Sequence, residues 1–75
     1  MNKARRAQIV EALVHINEVK EGLETICEEE QEYYDNMPES LQSGEKGSMS
    51  EQAIDCLNDA IGSLEDASGQ LDAIE

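Results

Sequence analysis

From residue 53 onward the chain repeats one seven-residue phrase, AIDCLND, AIGSLED and ASGQLDA, before closing on Ile74-Glu75. Ala53, Ala60 and Ala67 recur every seven residues, as do Leu57, Leu64 and Leu71. Together with Ile74 they step alternately by four and three, the spacing of a helix that lies along another helix. A second stripe of this kind runs through the first half of the chain: Ile9, Ala12, Ile16, Val19, Leu23, Ile26, Glu30, Tyr33 and Met37. Two such stripes in 75 residues constrain the fold to an all-α single domain over 1–75 of two long helices.

Their boundaries follow from local chemistry. The spacing predicts helix over 3–35, where Gly22 is the one weak helix former. Asn36-Met37-Pro38 ends it, because proline disfavours helical backbone in the residue before it and cannot donate the next hydrogen bond. A connection over 36–47 follows, with room for one helical turn at Pro38–Leu41 stopped by Gly44. Ser48-Met49-Ser50-Glu51 matches a capping box and predicts a second helix over 48–74. So short a connection favours antiparallel packing, a coiled-coil-like helical hairpin. Charge order agrees. Lys3, Arg5 and Arg6 open the first helix and Glu28–Asp35 close it, each against the helix dipole. Antiparallel pairing sets the acids beside the positive start of the second helix, and the cations beside Asp72 and Glu75.

With Leu57, Leu64 and Leu71 as heptad position a, the alanines fall at d. Beside that seam, position e holds Leu13, Cys27, Tyr34, Ile54 and Ile61, an apolar flank that a lone hairpin would expose. The expectation is association through these five residues, as a homo-oligomer with a dimer favoured, into a four-helix bundle. Cys27 at e and Cys56 at g lie on opposite flanks, so the two thiols are expected to pack rather than bridge.

The net charge is −13, and beyond residue 20 only Lys46 is basic. Such a surface repels nucleic acid and anionic membranes and attracts basic protein surfaces. No long apolar run reads as a leader or a membrane span, and cysteines without metal-ligand spacing point to a reducing cytoplasm. Glu11 and His15 share a helix face but have no second histidine, so no metal site is expected. The run Glu28-Glu29-Glu30-Gln31-Glu32 lacks the glycine-containing loop of a calcium site. No nucleophile or pocket for a catalytic residue is apparent, and neither enzymatic activity nor a cofactor is expected.

Candidate partner-binding residues are the carboxylates Glu28, Glu29, Glu30, Glu32, Asp35, Glu51, Asp55, Asp59, Glu65 and Asp66, with Tyr33 and Tyr34 among them. Tyrosine is enriched at interfaces, although packing at the bundle end is the simpler role for this pair. Glu30 is the misfit, a charge in a seam position that has either splayed open or been shaped for recognition.

The stretch Tyr33-Tyr34-Asp35-Asn36-Met37-Pro38-Glu39-Ser40-Leu41-Gln42, followed by Ala53-Ile54-Asp55 and the Ala/Leu heptads, resembles small acidic helical-hairpin proteins of bacterial phages and mobile elements. The resemblance covers roughly residues 28–75. It implies a small accessory or host-interaction protein and carries over no activity or site residue. The expectation is a non-enzymatic inhibitory protein that binds a basic partner, such as a nucleic-acid-processing or defence enzyme, by nucleic-acid mimicry. The alternatives are a structural oligomerisation module, whose acidity is only solubility, and an oligomer that sequesters a small anionic ligand at Arg5 and Arg6.

Overall fold

The computed structural model describes residues 1–74. Among them the protein is all-α: α1 spans Lys3–Asp35, α2 is the single turn Glu39–Gln42, and α3 spans Glu45–Asp72. The molecule is a rod of 58 × 15 × 12 Å.

Each boundary has a local cause. Asn2 caps α1, its side-chain Oδ1 accepting from the Arg5 N–H at 2.8 Å. Past the end of α1, the Asn36 N–H returns to the Glu32 carbonyl at 3.0 Å, and Pro38 then opens α2. The Ser43 hydroxyl closes α2 by donating to the Glu39 carbonyl at 3.1 Å.

α3 begins three residues earlier than the Ser48 capping box predicts. Its N-cap is Gly44, and the Ser48 N–H already donates to the Gly44 carbonyl at 3.0 Å, inside the helix. Glu45 occupies the first turn, where a carboxylate meets the positive end of the helix dipole. One turn on, Gly47 is buried against the end of α2. A Cβ on Gly47 would stand 1.9 Å from the Gln42 carbonyl oxygen, so only glycine lets the two backbones approach this closely.

The two long helices lie side by side in opposite directions. Tyr34 meets Glu51, Cys27 meets Asn58 and Lys20 meets Glu65. Each step of seven down α1 is a step of seven up α3.

The stripe that faces inward differs from the expected one. On α1 the covered residues are Ile9, Leu13, Ile16, Lys20, Leu23, Cys27, Glu30, Tyr34 and Met37. Val19, Ile26 and Tyr33, expected in the seam, are 55%, 50% and 55% exposed. On α3 the main covered run is Gly47, Ser50, Ile54, Leu57, Ile61, Leu64, Ser68 and Leu71, with Ala53, Gly62 and Ala67 at its margins and Ala60 exposed. Both helices are thus turned by about 50° from an a/d to an a/e seam, reckoned at ~100° per residue. On α3 side-chain size favours this turn, whereas on α1 it leaves Val19 and Ile26 outside and covers Lys20 and Cys27. The d positions of α3 are mostly alanine, whereas e supplies Ile54 and Ile61, and larger apolar side chains gain more by leaving water. Leu13, Cys27, Tyr34, Ile54 and Ile61, expected to face a second hairpin, therefore lie within the contact between α1 and α3. Even so, Ile54 is the one buried apolar side chain among the described residues, at 9% exposure.

A candidate acidic interaction surface

The a/e seam sorts the remaining positions onto two sides of the rod. Position b flanks the seam on one side and d flanks it on the other. The b side is polar. Its grooves are lined by Glu24, Glu28, Gln31 and Asn58 with Cys27 and Ile61, and by Gln31, Glu51 and Asp55 with Tyr34 and Ile54. The d side is the reverse: no Asp or Glu occupies a d position on either helix, and Glu29 is the sole acid at the adjoining g positions.

A ladder of e-to-b contacts closes the acidic side. The Tyr34 hydroxyl donates a short hydrogen bond to Glu51 Oε1. That bond, followed by desolvation and the nearby charges of Glu51 and Asp35, raises the Tyr34 pKa above its ordinary 10.0. Cys27 Sγ lies 3.6 Å from Asn58 Oδ1, a weak thiol donor to an amide oxygen. Lys20 lays its stem across the seam and brings its ammonium to 4.0 Å from Glu65.

Glu30 has a partner. Its Oε2 accepts from the Ser50 hydroxyl at 2.9 Å, and Ser50 is only 5% exposed. The small serine at the facing a position leaves space for the carboxylate and satisfies one of its oxygens. The seam therefore continues through Glu30 and does not splay there. Gln42 donates to the Tyr34 carbonyl at 2.8 Å, tying α2 to the last turn of α1.

The candidate partner-binding residues fall into two groups. Glu28, Glu29, Glu32, Tyr33, Asp35, Glu51, Asp55, Asp59, Glu65 and Asp66 are exposed. Glu30 and Tyr34 are half-buried and engaged within the chain. The grooves bring Glu28 toward Asn58, and Glu51 and Asp55 toward Gln31; Asp59 and Asp66, at c positions, stand on the outer face of α3. Glu24, Gln31 and Asn58 belong to the acidic side but escaped sequence reading. Their shared b label would have grouped them had the seam been set at a/e.

At the open end, Arg6 and Asp72 border one recess with Ile9, Leu13 and Leu71. Among the described residues, Lys3, Arg5 and Arg6 form no ion pair there, contrary to the expected pairing with Asp72; Glu75 lies outside the described residues. His15 sits exposed between Glu11 and Glu18, at 4.0 Å from each. Cys27 and Cys56 are free thiols. No helix among the described residues is long and apolar enough to cross a membrane. Compared with models of protein families, with curated proteins and with solved structures, the chain matches none of them.

Proposed function

We propose that this protein is a non-enzymatic acidic binding protein. In this reading the helical hairpin associates into a four-helix bundle and holds out carboxylates to a basic partner, as a nucleic-acid mimic. The observation that carries it is the partition of charge: on a chain of net −13, acids crowd one side of the rod and are missing from d on the other. Evenly scattered acidity would serve solubility alone; partitioned acidity leaves one side for packing and the other for recognition.

Charge spacing supports the same reading. A net −13 along 58 Å is about one charge per 4.5 Å, sparser than the ~3.4 Å of a single nucleic-acid strand. Two rods side by side reach about one per 2.2 Å, close to the ~1.7 Å of duplex DNA. Association is thus part of the mimicry. A basic groove on a nucleic-acid-processing or defence enzyme is the kind of partner such a rod fits. An accessory role in a phage or mobile element, acting in the cytoplasm, accords with that partner.

The test is capture on the purified protein at low salt, identification of what is held, and titration of that partner across salt concentrations. Affinity falls steeply as salt rises, and the variant Glu24→Gln, Glu28→Gln, Glu51→Gln, Asp55→Asn binds more weakly. An affinity flat in salt and unchanged in the variant rejects mimicry. That result favours the second reading, a structural assembly module, which the acid-poor side also supports.

A further inference from the structure

We infer that the acid-poor side, which carries Glu29 at g and no acid at d, is the docking surface for a second copy of this chain, laid head to tail, with the two-fold axis crossing α1 at Val19. The inference rests on the association proposed above and adds to it a surface, a direction and a register.

The surface follows from charge and area. Two chains of net −13 repel each other through any face that carries their acids, and the d side carries none at d. It also leaves large apolar side chains in water, with Val19, Ile26 and Tyr33 each half exposed or more, although Val10 and Val14 are as exposed on the other side. A face of 58 × 15 Å offers about 870 Å², against the ~800 Å² per partner of a standard stable interface.

The direction follows from the asymmetry of the rod. Glu28 through Asp35 and Glu39 crowd the loop end, while Lys3, Arg5 and Arg6 stand at the open end. A dimer with both loops together stacks the acids on one another. A head-to-tail dimer sets each acidic end over the partner's cations.

The register follows from the d positions of α1. They fall at 5, 12, 19, 26 and 33, symmetric about 19, which is also the midpoint of Lys3–Asp35. Two-fold rotation there sets Val19 on its own copy and the bulky Ile26 over the small Ala12. It sets Arg5 over the Tyr33 ring, a cation–π geometry, within one helical turn of Glu29. Along the d positions of α1, each large or charged group thus meets a complementary one, with no adjustment of register.

The experiment uses the full chain with Cys27 and Cys56 replaced by serine. Val19→Cys is expected to give a covalent dimer on mild oxidation, since two-fold symmetry brings the thiol to its copy. A spin label on Ser40→Cys is expected to report loop ends separated by most of the 58 Å rod. Sedimentation showing a folded monomer overturns both this inference and the association it rests on. A dimer whose loop labels lie within a bundle width, about 20 Å, and which does not cross-link at 19, overturns the head-to-tail surface alone. As a check independent of the cysteines, Val19→Glu with Ile26→Glu is expected to yield a helical monomer. A dimer of undiminished affinity in that variant also overturns the assignment.

Discussion

The two ends of the rod are closed by different means. At the loop end, backbone approaches backbone at Gly47, Ser50 satisfies Glu30, Tyr34 holds Glu51, and Ile54 is covered. The buried residues of α3 are all here: Gly47, Ser50 and Ile54. At the open end, Ile9, Leu13 and Leu71 border an open recess, and Arg6 and Asp72 face it without an ion pair among the described residues. The contrast teaches how a pair of helices poor in apolar area holds one end firmly. A close backbone approach and satisfied polar groups do there what a large core does in a bigger domain. The open end has the Asn2 cap but no close backbone approach between helices and no buried apolar side chain among the described residues, the conditions under which a helix end opens first.

The sharpest way to break this contrast is Gly47→Ala. The added methyl meets the Gln42 backbone, which cannot yield without moving α2, and a loss of about 3 kcal/mol is expected by urea titration. A neutral outcome would mean that the close approach does not set the loop end. Next in size is a paired truncation across the two ends. Ile54→Ala should cost about 2 kcal/mol and Leu13→Ala about half as much, because the leucine is less fully covered. Equal losses would erase the difference between the ends.

The smallest effect is a pH dependence. Tyr34 has a raised pKa in the folded chain, so its contribution is complete below the ordinary tyrosine value of 10.0 and is lost as pH rises through the raised one. Tyr34→Phe should flatten the alkaline loss of stability relative to the parent chain. Thermal melts between neutral pH and the alkaline limit read the difference. Matching slopes for the parent and Tyr34→Phe would remove the tyrosine–glutamate contact from the account of the loop end.

Much of the fold was legible before any coordinates. The span of α1 and the stop at Pro38 are governed by neighbours in sequence and stand as expected, while the short turn lies one residue later than expected, at Glu39–Gln42 with Ser43 as its cap. The Ser48 capping box misled because a good cap sequence is only permissive. Gly44 broke the chain earlier, and Glu45 suited the first turn that resulted. Glu30 could be seen as a misfit, but its partner Ser50 could not be named, since that contact joins residues twenty apart. The acidic side was half legible: its acids could be listed, but not which of them share a groove.

What the sequence by itself determined is the all-α character and the two long helices, carried by local propensity and seven-residue periodicity. Only the tertiary structure decided which stripe turns inward. Position a lies three residues from one d and four from the next e, so a/d and a/e stripes are equally regular along a single helix. On α3 the choice follows side-chain size, with Ile54 and Ile61 outweighing Ala53, Ala60 and Ala67, and α1 follows at the expense of Val19 and Ile26. The choice depends as well on a backbone contact at Gly47 that exists only once the chain has turned back on itself.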